Sequence, residues 1–304
     1  MKLKLFTAIL AMVGLSIATA LAQDDQIQID STKIERMLLD SMFIAEVERP
    51  QSNLKPKVLH AEPLYIDLIR DLGARKGERE WNLGVGMTDR RGYDEYEGLI
   101  EYEWAPIDRL GFEIEVPVTL YSWRNSLPNT DLERPSNRVE SLKLATQWSF
   151  LVSEKYKSTL ALGYIHEFEF VDLNRLGRGG ELFKGNIYNP FFVAAKRWSS
   201  NYHTLIYTGP RIEKLFNQRR DITYEIHTNF HYMITGTRNF IGVEINKEIH
   251  NGKLETVLRP QMRVGLAENL MIGIVTGIPV GNRDNMGLSS FMRIIYEPHF
   301  KTFH

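Results

Sequence analysis

The chain has 304 residues, 43% hydrophobic and 25% charged, with no cysteine and a formal net charge of −1. Beyond the first two dozen residues no run approaches the roughly 20 apolar residues a helical membrane span needs, and a cysteine-free chain builds neither a disulfide-stapled scaffold nor a thiolate-ligated metal site. The near balance of charge gives no electrostatic case for nucleic acid.

Residues 1–22 read as a secretory leader: Lys2 and Lys4 at the front, an apolar stretch over 5–21, and Ala20-Leu21-Ala22 as a small-residue cleavage site before Gln23. Residues 23–79 lack alternation and carry helix signals instead. Thr32 and Glu35 stand in capping-box spacing ahead of Ile34, Leu38, Met42 and Ala45 on one face, and Pro50 and Pro56 bracket a linker. The stretch 60–73 is predicted to form a second, short helix, with Glu62 at its positive end, Pro63 in the first helical position, Leu64, Leu68 and Leu72 as a stripe and Gly73 as the stop. It reads as a docking element, with Glu62, Pro63, Tyr65, Asp67 and Arg70 as the residues that dock.

From Glu80 the pattern changes to twelve candidate strands, approximately 80–88, 96–104, 110–120, 139–150, 158–170, 187–198, 203–211, 221–234, 239–249, 254–266, 269–279 and 288–300. The pair across 96–120 sets the rule. Tyr96, Ile100, Tyr102, Trp104, Leu110, Phe112, Ile114, Val116 and Val118 stand on one side, and Glu97, Glu101, Glu103, Glu113 and Glu115 on the other. A one-residue slip would turn those carboxylates to the apolar side, so register is strongly specified. Most strands have the length of tilted transmembrane strands rather than of ordinary globular ones. Short connections follow strands two, four, six, eight and ten, and long polar ones follow three and five, as an outer-membrane barrel with both termini in the periplasm requires. His250-Asn251-Gly252-Lys253 breaks the alternation as a tight hairpin on the long-loop side. His166 falls on the lipid face, the register around Lys196 and Arg197 is open, with the basic residue expected at a rim beside Trp198, and either Phe300 or Phe303 serves the assembly signal.

The octapeptide His60-Ala61-Glu62-Pro63-Leu64-Tyr65-Ile66-Asp67, with its continuation over 68–78, resembles the HAEPLYID family, and the resemblance extends over most of the mature chain. It implies an outer-membrane barrel of Gram-negative bacteria and carries over no substrate, cofactor or catalytic residue.

The fold class expected is therefore all-β: a transmembrane antiparallel up-and-down barrel of about twelve strands over 80–304, with a helical segment at 23–79 as plug or periplasmic cap. Its partners would be outer-membrane lipid, the barrel-assembly machinery and a small polar solute. Glu97, Glu101, Glu103, Glu113, Glu115, Lys143, Glu167, Glu225, His227, His231, Glu244, Arg259, Arg263 and Arg293 are the expected lumen lining, joined by Glu169 and Glu255. They suit either an ion-selective or solute-guiding pore or a set of neutralising pairs that fills a narrow bore. His227 and His231 share a face, yet four residues on a strand span about 13 Å, too far for one ion. No Gly-x-Ser-x-Gly occurs, so a barrel lipid hydrolase built on His203 or His227 is the weaker alternative. Gly84-x-Gly86 lacks a nucleotide loop's third glycine and reads as room on the inner wall for the preceding helix, and Gly177-Arg178-Gly179-Gly180 as an outer loop tip.

Overall fold

The computed structural model describes residues 31–48, 55–66, 68–90, 92–123, 135–172, 181–216, 218–281 and 286–298. The leader, Pro50, Asp67, the tip at 177–180, Phe300 and Phe303 lie outside these residues. The chain divides into two units, residues up to Leu38 and residues from Leu39 onward. The first contains the opening turns of helix α1 (Ser31–Glu48), and the second contains everything discussed below.

Thirteen strands follow: β1 (Arg79–Arg90), β2 (Tyr93–Ile107), β3 (Leu110–Trp123), β4 (Arg138–Val139), β5 (Ser141–Ser153), β6 (Ser158–Phe170), β7 (Phe183–Arg197), β8 (Tyr202–Leu215), β9 (Asp221–Met233), β10 (Phe240–His250), β11 (Lys253–Ala267), β12 (Leu270–Val280) and β13 (Met286–Tyr296). Apart from β4, each pairs antiparallel with its chain neighbours, and β1 pairs with β13, so twelve strands close a barrel with no free edge. The two-residue β4 continues the line of β5 along β3. The break between them falls where Pro117 has no N–H to give the ladder, and the Pro117 carbonyl accepts from Glu140 N–H instead (2.8 Å).

Alternation sets the two faces. Ile100 is 58% exposed while the next residue, Glu101, is 0% exposed. Trp81, Leu83, Val85, Trp148, Leu162, Ile206, Phe230, Ile241, Met262, Ile274 and Leu288 are likewise exposed on the outside. A contiguous band of this kind is what acyl chains border, and water does not tolerate it on a monomer.

The register left open around Lys196 and Arg197 resolves, and His166 takes the outward side expected of it. In β7, Arg197 turns inward to Glu48 (2.5 Å), while Lys196 stays outside, its ammonium over the Trp198 ring and donating to the Tyr156 carbonyl. His166 lies outside, stacked on Phe168 (4.3 Å between centroids) and bonded through Nε2 to Asn186 Oδ1 (3.0 Å). At the predicted tight hairpin, Asn251 and Gly252 take φ of 50° and 76°, the left-handed pair that a two-residue turn needs.

The segment 55–78 departs from expectation. Among the described residues of 60–73 no helix forms; they run as irregular backbone with a turn at 72–73, and a second turn follows at 76–77. The reason is competition for its N–H groups, which side chains of the barrel wall take.

Candidate functional site in the barrel lumen

Residues 57–74 are surrounded by wall. Ala61 N–H donates to His203 Nδ1 (2.9 Å), Leu64 N–H to Gln261 Oε1 (2.9 Å), Ile66 N–H to Glu244 Oε1 (3.1 Å) and Gly73 N–H to Ser149 Oγ (2.9 Å), and the Arg70 carbonyl accepts from Gln147 Nε2 (2.8 Å). These partners come from β8, β11, β10 and β5, so the segment is held from around the ring. Its end joins the β2–β3 turn: Gly77 N–H donates to the Ala105 carbonyl (2.8 Å) and Arg109 N–H to that of Ala74 (2.6 Å).

Apolar packing accompanies the hydrogen bonds. Ile66, Leu68, Ile69 and Leu72 form one buried cluster with Ala145, Ala161, Ile165, Phe191, Val193, Ala195, Leu205 and Tyr207. Ala61 and Leu64 join Met233, Phe240, Met271, Val275, Phe291 and Ile295 in another. Two wall glycines make the approach possible. A Cβ on Gly111 would stand 2.6 Å from the Ile69 carbonyl oxygen, and one on Gly273 2.5 Å from Leu64 Cδ2. Gly84 and Gly86, expected to admit the N-terminal segment, instead make room for Phe291 of β13, with Leu99 and Glu97 beside them.

A charged knot ties the lower end. Arg70 is 3% exposed and its guanidinium meets Glu80 (2.6 Å), Glu103 (3.5 Å), Glu297 (3.5 Å) and Asp71 (3.7 Å). Arg70 takes a φ of 142°, a region that side chains rarely adopt and that costs of order 1–3 kcal/mol. Lys57 donates to Asp71 (2.8 Å) and Glu78 (2.8 Å). Burial opposes its charge, but Asp71 and Glu78 outweigh that and hold the ammonium above its ordinary range. Glu48 of α1 accepts from Arg197 and from Leu59 N–H (2.8 Å).

Glu62 and Asp71 differ in the sign of their shifts. Burial, then the charge of Asp71, pushes the Glu62 carboxyl well above the carboxylate range, and it hydrogen-bonds Asp71 while accepting from Leu72 N–H (2.9 Å). Burial works against charge on Asp71 too, but Arg70 and Lys57 hold it well below that range. Asp71 therefore contributes stability that is present above its unfolded pKa and lost as pH falls through its depressed folded value. Protonated Glu62 contributes stability that is present below its unfolded pKa and lost as pH rises through its raised folded value. The unfolding temperature in detergent should fall as pH drops below the carboxylate range through loss of Asp71 and as it rises above it through loss of protonated Glu62, and Glu62→Gln should make the alkaline fall less steep and leave the acid limb in place. Parallel profiles for the two proteins would refute the assignment.

The cavities flank the segment. One of about 200 Å³ lies beyond Tyr65 and Ile66, lined among others by Lys143, Glu167, Tyr207, Glu225 and Glu248. A smaller one of about 30 Å³ is lined by Glu62, Asp71, Glu103, Arg263 and Arg293.

A family profile described as HAEPLYID-like matches residues 56–297. The chain belongs to that family. A comparison with curated proteins finds no match. Among solved structures, an outer membrane channel from Pseudomonas putida F1 is similar with TM-score 0.57 and 11% identity, covering 81% of this chain and 100% of its own. The NanC porin is similar with TM-score 0.50 and 12% identity, covering 72% of this chain and 100% of its own. At these identities the likeness speaks for the closed barrel, and it agrees with the outward apolar band.

In this HAEPLYID-like barrel residues 60–66 of the octapeptide lie inside the lumen, with Leu68, Ile69 and Leu72 after them. Of the docking residues, Pro63 is buried, Glu62 and Arg70 are bound as above, and Tyr65 carries the Arg259 guanidinium 3.2 Å over its ring with Phe291 at its edge (6.0 Å). Asp67 lies outside the described residues. The charged and histidine positions expected on the lumen face sit on the inward side of their strands. They divide into three groups. Glu101, Glu103, Glu113, Glu115, Lys143 and Arg293 cluster on the β1–β3 side. Glu244, Arg259, Arg263 and His231 meet the segment or its neighbours, and Glu167, Glu225 and His227 line the cavity beyond it, with Glu97 apart, over Gly86 of β1. His231 is bonded by Gln261 and His227 by Asn246 (3.1 Å), so the two rings serve separate partners. Sequence reasoning missed Gln261, Ser149, Glu80 and Glu297. Each is an inward polar residue on or beside a strand; residues 55–78 supply a partner to Gln261, Ser149 and Glu80, while Glu297 is held between Arg70 and Arg238.

Proposed function

We propose that the protein is a gated outer-membrane pore for small polar or ionic solutes, closed by its own residues 55–78 and with its termini on the periplasmic side. The observation that carries this reading is the hold on the segment. Polar wall side chains take its backbone N–H groups one at a time, contacts that a solute or water can replace as the segment leaves. A sealed barrel that presents its N-terminal part to a partner is the second reading, favoured by the two apolar clusters around Ile69 and Leu64. A hydrolase reading has less support, since His203 Nδ1 accepts a backbone N–H and His227 Nδ1 an amide.

A lock separates the first two. A Cβ at Gly273 lies 3.2 Å from Leu64 Cγ, close to the spacing of a Cβ from the far sulfur of a disulfide. In the double variant L64C/G273C, the gated reading predicts conductance steps in a voltage-clamped bilayer when the thiols are reduced and their loss on oxidation. Silence in both states would favour the sealed barrel. Equal conductance in both would refute gating by this segment.

A further inference from the structure

The wall of the 200 Å³ cavity sets like charges side by side. Glu225 of β9 is directly opposite Glu248 of β10, and Glu248 directly opposite Glu255 of β11, an arrangement that destabilises a sheet unless something neutralises it. Glu225 and Glu248 line the cavity together with Glu167 of β6. Against these three carboxylates the lining offers Lys143 and Arg211. Both have carboxylates of their own outside it: Lys143 meets Glu113 (3.0 Å) and Glu115 (2.8 Å), and Arg211 meets Glu213 (3.5 Å).

The hydrogen bonds point the same way. Glu225 Oε2 accepts from Asn189 Nδ2 (2.8 Å) and Glu167 Oε2 from Ser141 Oγ (2.9 Å). Asn189 is fixed in turn by Tyr207, whose hydroxyl donates to its Oδ1 (3.1 Å). Among the described residues neither Glu167 nor Glu225 is in an ion pair. Neutral donors therefore position the two carboxylates and leave their charge unmatched, inside a barrel where charge is expected to be paired.

We propose that this cavity binds one small organic ammonium ion, with Glu167, Glu225 and Glu248 as its acceptors. The three are not among the described acidic groups whose oxygens lie close enough together to share one metal ion, so a cation that spreads several N–H donors fits them better than a bare ion. Ile66 and Ile165 give the lining apolar sides for methylene groups, as ligand sites commonly have. Ile66 also belongs to the closing segment, where Glu244 holds its N–H (3.1 Å), so the bound ion rests on the gate. The inference rests on the pore reading for one point, that ammonium solutes are the class that passes; binding itself does not need a conducting barrel.

The test is equilibrium dialysis of the full chain in nonionic micelles against diaminobutane, with butanediol and succinate as the neutral and anionic chains of equal length. One diaminobutane per chain is expected, and neither control should bind. Glu225→Gln and Glu248→Gln should each weaken binding roughly tenfold or more, as loss of a charged hydrogen bond does. Arg211→Gln removes a competing cation and should tighten it, while Glu154→Gln in the β5–β6 connection should leave it unchanged. Compact migration before boiling verifies the folding of each variant. No diaminobutane bound to folded wild type at millimolar concentration, butanediol or succinate bound as tightly, or unchanged binding in whichever of Glu225→Gln and Glu248→Gln folds would overturn the site. Conductance in a bilayer separates the two readings: binding by a silent barrel upholds the site and removes the pore, and conductance without binding removes the site and upholds the pore.

Discussion

Replacing Arg70 with alanine is expected to cost about 3–5 kcal/mol, the range for breaking a buried ion pair from one side, and to loosen residues 55–78 while leaving the barrel closed. The guanidinium is the shared partner of Glu80 in β1, Glu103 in β2 and Glu297 after β13. Its removal leaves buried carboxylates short of a counter-charge across the seam where β1 meets β13. Arg70→Lys should recover only part of the loss, since one ammonium cannot reach acceptors on three elements as a planar fork does. Relief of the strained φ at Arg70 would not offset this, because alanine is no better suited than arginine to that region. The measurements are the urea midpoint and protease cleavage within 55–78, read beside compact migration on an unboiled gel. A midpoint unchanged from wild type would show that the knot contributes nothing.

Gly111→Leu attacks the same packing from the wall. Its new side chain would begin 2.6 Å from the Ile69 carbonyl oxygen and 2.7 Å from Arg70 Cβ. The strand that carries it is fixed by ladders to β2 and β5, so the segment is the part that must move. Overpacking of this kind costs about 1–3 kcal/mol, and cleavage within 55–78 should rise while the outer face stays intact. Gly98→Ala is the control, because its Cβ would meet nothing closer than the Gly84 carbonyl at 3.9 Å. Equal protection of 55–78 in Gly111→Leu and wild type would place the segment elsewhere.

The barrel was legible because period-two alternation is local. Ile100 beside Glu101 states which face is which without reference to any other strand, and Asn251-Gly252 names its own turn. The inward side of Glu113 or Arg293 followed from the same rule. The fate of 60–73 was not legible for the opposite reason. Pro63, Gly73 and a stripe of Leu64, Leu68 and Leu72 satisfy the local rules of a helix, but Ile66 and Ile69 are buried as well, since the segment has wall on every side. Gln261, Glu244, His203 and Ser149, between 76 and 197 residues away in the chain, take N–H groups of the segment, among them that of Ile66, which a helix would have given to the Glu62 carbonyl. A one-sided pattern is a poor guide to a segment that has no solvent side. Gly111 and Gly273 were unreadable likewise, because the backbone and side chain that need their space come from the far end of the fold.

The threading of residues 55–78 through the barrel is tested most directly by the pair L64C/G273C in this otherwise cysteine-free chain, oxidised in intact membranes and mapped by mass spectrometry. The account predicts a disulfide joining the two peptides within one compact monomer. Two free thiols, both open to a water-soluble alkylating reagent, would contradict it.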